Sequence, residues 1–139
     1  MKKALFALLF SAFFAGCNCN KDAAQTASEP EGSVTTVSVD DFAKIIEQKE
    51  VRLIDVRTAK EFAEGHIANA ENKDVNSSSF GTDIVPQKGK KKSNVLAVYC
   101  RSGKRSLKAA GILAPKGFTV YNLDGGILAW QRAGKAVEK

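Results

Sequence analysis

Residues 95 to 106 read Val-Leu-Ala-Val-Tyr-Cys-Arg-Ser-Gly-Lys-Arg-Ser. Cys100 stands where an apolar, β-rich run stops. Three cations follow it, Arg101, Lys104 and Arg105, together with Ser102, Gly103 and Ser106. A helical pattern comes next. A strand–loop–helix junction aims backbone N–H groups and a helix N-terminus at one point in space. A thiol placed there has its pKa lowered and becomes a nucleophile. Cys100 is therefore the candidate catalytic residue. Arg101, Ser102, Gly103, Lys104 and Arg105 are candidate binders of an anion beside it, the arginines favoured for their planar fork. Gly103 allows backbone to approach the sulfur closely, and Ser102 and Ser106 are read as helix caps.

Two other thiol chemistries have to be weighed. A Cys-His pair would need His66, the one histidine of the chain. Its position just after Gly65 reads as local bonding near Glu61, which leaves thiolate stabilisation to the loop itself. Cys-based phosphatases and arsenate reductases use Cys-x5-Arg, a ring of N–H groups sized for phosphate. From Cys100 to Arg105 the spacing is Cys-x4-Arg. The tighter ring suits a single sulfur atom better.

The elements that position this loop follow from pattern. Val37-Ser38-Val39 reads as a short strand, and Asp40 as the cap of a helix with Phe42, Ile45 and Ile46 on its apolar face. Residues 51–57 form a strand with little alternation, as for one buried on both faces. Thr58 and Glu61 make a capping box for a helix over residues 59–64, stopped by Gly65. Residues 74–93 are irregular, with a basic loop at Lys88-Gly89-Lys90-Lys91-Lys92. A strand over 95–99 leads into the Cys100 loop. Its helix presents Leu107, Ala110, Gly111 and Leu113 and ends at Pro115 and Gly117. A strand over 119–123, a turn at Asp124-Gly125-Gly126 and a helix from Ile127 carrying Trp130 complete the chain. Strands separated by helices predict a parallel α/β sheet covered on both faces, with its site at the carboxyl ends of the strands. Cys100, Asp55 and Asp124 fall near such ends. Asp55 and Arg57 are expected to form a supporting charge network.

At 139 residues, with 44% hydrophobic and 26% charged residues, the chain has room for one packed domain. The formal charge is +6, of which Lys2 and Lys3 contribute two. That is too mild to argue for nucleic acid, and no arginine–aromatic interleaving is present. No metal site and no cofactor are expected.

The first residues read as a targeting segment. Lys2-Lys3 precede an apolar run over 4–15, too short to span a bilayer comfortably. Phe14-Ala15-Gly16-Cys17 resembles the lipobox of bacterial lipoproteins, in which the signal peptide is cut just before the cysteine, which carries lipid. Residues 1–16 are thus expected as a signal peptide and 17–36 as a lipidated flexible tether holding Cys17 and Cys19. Residues 37–139 are then the domain, on the periplasmic side of a bacterial cell envelope.

Three stretches together resemble the rhodanese family. The first is Leu53-Ile54-Asp55-Val56-Arg57 with Glu61-Phe62 and Gly65-His66-Ile67. The second is Val98-Tyr99-Cys100-Arg101-Ser102-Gly103-Lys104-Arg105-Ser106. The third is Gly117-Phe118, Val120 and Leu123 through Ile127, with Trp130. The resemblance implies a three-layer α/β/α domain around a parallel five-stranded sheet, and a sulfurtransferase cycle. Cys100 would take sulfane sulfur from a donor such as thiosulfate. A thiol, cyanide or a protein acceptor would then remove it from the persulfide. A monomer is expected. The alternative from another class is a membrane-tethered, non-catalytic module that binds a partner or carries sulfur or redox equivalents.

Overall fold

The computed structural model describes residues 32–84 and 94–139. The leader, Cys17, Cys19, the tether up to residue 31 and the basic loop at 88–92 lie outside the described residues. Five strands, β1 (Val34–Val37), β2 (Arg52–Asp55), β3 (Glu71–Asn72), β4 (Val95–Tyr99) and β5 (Thr119–Leu123), form one sheet in the order β1-β5-β4-β2-β3. Every pairing is parallel. Five helices accompany them: α1 (Val39–Ile46), α2 (Ala59–Glu64), α3 (Phe80–Asp83), α4 (Lys104–Leu113) and α5 (Gly126–Arg132).

Alternation along β4 explains the layers. Leu96 and Val98 point to one face of the sheet, Ala97 and Tyr99 to the other, because successive side chains of a strand oppose each other. The first face packs Ile54, Val56, Leu96, Val98 and Val120 against Phe80, Ala109, Ala110, Leu113 and Phe118. The second packs Leu53, Ala97, Tyr99 and Leu123 against Phe42, Ile127 and Trp130. Both faces of the central strands are therefore covered, which is why β4 carries a continuous apolar run and β2 shows no alternation. Cys100 belongs to the same cluster as Leu96 and Val98.

Several expectations shift by a few residues. The first strand is Val34–Val37, not 37–39, so residues 34–36 pair with β5. Ser38, not Asp40, caps α1, since its side chain accepts the Asp41 N–H at 3.2 Å. The capping box of Thr58 and Glu61 is present at α2. Helix α4 starts at Lys104, and its buried stripe is Ser106, Ala109, Ala110 and Leu113. Leu107, expected on that stripe, is 52% exposed, and Gly111 is exposed as well. The phase of the helix is set by Ser106 facing inward, and the i, i+3, i+4, i+7 spacing follows from it.

Candidate active site

Strand β4 delivers Cys100 to the carboxyl edge of the sheet, and four residues later, at Lys104, α4 begins. Gly103 makes the transition possible. Its φ of 99° lies in the left-handed region, where a side chain is strained. Turned this way, the Gly103 N–H donates to Cys100 Sγ at 3.1 Å. The Ser106 hydroxyl lies 3.5 Å from Sγ and 3.1 Å from the Gly103 carbonyl oxygen. Its one proton has two acceptors, and an anionic sulfur is the stronger of them. Neither Ser102 nor Ser106 caps α4, whose N-cap is Gly103 without a side-chain bond. Ser106 is instead fully buried beside the thiol.

Cys100 is 1% exposed. Burial pushes its pKa up, but the Ser106 hydroxyl and the backbone N–H groups of Ser106, Ser102 and Gly103 outweigh it. The thiol therefore ionises below its ordinary range. The cradle does this by hydrogen bonds to the charged form, the third of the ways in which a site moves a pKa.

The three cations separate. Arg101 and Lys104 are exposed. Arg105 is held in a bidentate pair with Glu61, Nη1 donating to Oε2 at 2.8 Å and Nη2 to Oε1 at 2.7 Å. Held by Arg105 above all, and also by Thr58, the Glu61 carboxyl is brought down to about 2 against the cost of burial.

Asp55 and Arg57 do form the expected network. The guanidinium Nη2 donates to Asp55 Oδ2 at 2.6 Å and to the Gly65 carbonyl at 2.7 Å. Burial alone lowers the Arg57 pKa, but the bonds and charge of Asp55 more than offset it and the pKa rises. The guanidinium also sits 5.7 Å from the centroid of the Tyr99 ring. Tyr99 in turn accepts the Ile67 N–H on its hydroxyl at 3.0 Å. This buried girder ties β2, β4 and the segment after α2 together beneath the loop. A cavity of about 200 Å³ opens above it between Arg57, Glu61, Gly65, Arg101, Ile127 and Leu128.

His66 is not part of the site. Its ring stacks on Phe62 at 3.7 Å between centroids, Nδ1 lies 3.0 Å from the Phe62 carbonyl oxygen, and Nε2 lies 3.6 Å from Glu138. Trp130 is core: it meets Phe42 edge-on and donates its N–H to the Ala136 carbonyl at 2.9 Å. Asp124 is exposed.

Three contributors escape the sequence. Glu61 reads only as a helix cap, because its second partner is forty-four residues away. Tyr99 reads as one more apolar strand residue. Gly126 reads as a turn, yet it is where α5 meets the loop. The Ile127 N–H donates to the Cys100 carbonyl at 2.9 Å and the Leu128 N–H to that of Arg101 at 3.3 Å. The Gly-Gly pair before a helix was the available signal.

A parallel sheet of this order, a thiol at its carboxyl edge and an N–H cradle around it define a class of protein with known relatives. The rhodanese-like domain family matches residues 38–133. The chain belongs to that family. A sulfurtransferase of Allochromatium vinosum is 35% identical over 92 residues, 66% of this chain and 81% of the relative. A thiosulfate sulfurtransferase of Shewanella oneidensis is 35% identical over 98 residues, covering 70% of this chain and 92% of the relative. Among solved structures, a rhodanese-related protein of Thermoplasma volcanium is 27% identical with a TM-score of 0.61, over 74% of this chain and 96% of that one. The fold is the rhodanese-like α/β fold.

Proposed function

We propose that the protein is a sulfurtransferase that carries sulfane sulfur on Cys100, with thiosulfate as a competent donor. The observation that carries this reading is the Gly103 N–H aimed at the Sγ of the buried Cys100 at 3.1 Å, from a loop of N–H donors. The thiolate attacks the outer sulfur of thiosulfate. A new S–S bond forms at Sγ, the donor's S–S bond breaks, and sulfite leaves with the bonding pair. The persulfide inherits the negative charge and the same N–H groups, which are fixed before the reaction and so cost no reorganisation. A thiol, cyanide or protein acceptor then attacks the outer sulfur, and the Cys100 thiolate is returned. Arg101 and Lys104, exposed at the mouth, meet the anionic donor on its way in. The name of the Shewanella relative supports the choice of donor.

The test is intact mass after exposure to thiosulfate. The chain gains one sulfur atom and loses it to cyanide with formation of thiocyanate. Cys100→Ser gains none. Sulfur transfer that survives Cys100→Ser would sink this mechanism, and a protein that never gains sulfur would favour a binding or carrier module.

We infer further that Cys17 carries lipid and tethers the domain to the periplasmic side of a bacterial membrane. The support is the order of Lys2-Lys3, an apolar run and Ala15-Gly16-Cys17. Cys17→Ser moves the protein from the membrane to the soluble fraction of its host cell. Unchanged detergent partitioning refutes the anchor.

A further inference from the structure

Two guanidinium groups near the cradle, those of Arg57 and Arg105, are held in neutral pairs. Arg57 is matched by Asp55. Arg105 is matched by Glu61 through two parallel hydrogen bonds and is drawn by Asp74 as well. Arg105 also feels the charge of Cys100, so it stands within electrostatic reach of the sulfur. Yet the face of its guanidinium suited to an anion's oxygens is occupied by a carboxylate. That carboxylate is fixed from behind: Glu61 Oε2 accepts the Thr58 N–H at 3.2 Å and its hydroxyl at 3.0 Å. The helix cap thus holds Glu61, and Glu61 holds Arg105.

We propose that Glu61 is a specificity-determining residue: by keeping Arg105 in a neutral pair beside the cradle, it makes the site discriminate against dianionic sulfur donors in favour of monoanionic ones. This rests on the sulfurtransferase reading. The thiolate is itself an anion, so its approach to a dianion is opposed by twice the Coulomb energy of its approach to a monoanion at the same distance. A bare guanidinium would offset that penalty; a guanidinium–carboxylate pair does so only weakly. The remaining cations, Arg101 and Lys104, are exposed, where solvent and salt screen them. The chemical step is the same for both donors. The thiolate binds the outer sulfur, the donor's S–S bond breaks, and the pair leaves on sulfite from thiosulfate or on a sulfinate from an alkylthiosulfonate.

The test compares thiosulfate with methanethiosulfonate, which carries one negative charge fewer, on the full chain. Glu61→Gln is the informative variant. Glutamine keeps the capping box, because its side-chain oxygen still accepts the Thr58 N–H, but it bears no charge. The ratio of kcat/KM for thiosulfate to that for methanethiosulfonate should rise about ten-fold, the size expected for one charge a few ångströms away in a solvated mouth. The rise should come through KM for thiosulfate and shrink with added salt. Arg105→Gln alone should lower the ratio, because it leaves Glu61 unpaired. The double variant should return it near the wild-type value, one neutral pair having replaced another. A ratio unmoved by Glu61→Gln, or equal gains for both donors, overturns the proposal. Wild-type protein sulfurated by neither donor overturns the sulfurtransferase reading instead.

Discussion

Gly126 is wedged against Cys100. Its φ is +60°, and a β-carbon there would stand 2.5 Å from the Cys100 carbonyl oxygen and 2.5 Å from the carbonyl carbon of Arg101. The loop that carries the thiol is thereby held from two sides, by α4 through Gly103 and by the first turn of α5 through Ile127 and Leu128. Gly126→Ala breaks this contact. The left-handed backbone alone costs about 1–2 kcal/mol, and the clash adds to it. The variant should melt well below wild type, and its sulfur transfer should fall by at least about ten-fold from loss of geometry. Thermal unfolding with a transfer assay below the new Tm separates the two effects.

Cys100 should alkylate at a pH below the ordinary thiol range, whose midpoint is about 8.5. Ser106→Ala removes one of the bonds that hold the thiolate. The pH profile of iodoacetamide reaction should therefore move upward, with reaction on the acid side of the wild-type midpoint slowed. A profile that stays in place would show that the backbone N–H groups suffice.

Asp55 is fully buried and Arg57 nearly so. Asp55→Asn leaves the guanidinium charged and unmatched in the interior, a loss of about 3–5 kcal/mol. The urea midpoint should drop accordingly, with the slope unchanged. A loss under about 1 kcal/mol would mean that solvent reaches the pair.

The acid limb of stability should carry the signature of Glu61. Its carboxyl titrates near about 2 in the folded chain and near the ordinary value of about 4.3 when unfolded. A depressed carboxyl stabilises the fold fully above its unfolded pKa, and that stabilisation is lost as pH falls through the folded one. Between about pH 5 and 2 the melting temperature of wild type should fall more steeply than that of Glu61→Gln. Parallel curves would indicate that the Arg105 pair breaks before the carboxyl protonates.

Much of this architecture is legible in short stretches. The strands at 95–99 and 119–123 and the helix at 59–64 appear with their bounds, because alternation, capping boxes and glycine stops act over a few residues. The first strand slips by three residues. It is an exposed edge strand whose position is set by pairing with β5 and by the need of α1 for Ser38 as a cap, not by its own pattern. The stripe of α4 is misjudged because Leu107 is apolar yet faces outward. What decides the phase is Ser106, a polar residue drawn inward by a sulfur and a carbonyl.

The sequence by itself determined the family, the thiol and the loop that surrounds it, since Cys100 to Ser106 are contiguous and their chemistry is local. It also determined that the sheet is parallel, from apolar strands alternating with helices. Only the tertiary structure decided which charges remain available at the site. Arg105 meets Glu61 across forty-four residues, Arg57 folds back on Asp55, and Gly126 reaches Cys100 from another strand's turn. A residue type says which bonds a side chain can make. Which partner takes them depends on distances that the packed sheet alone sets.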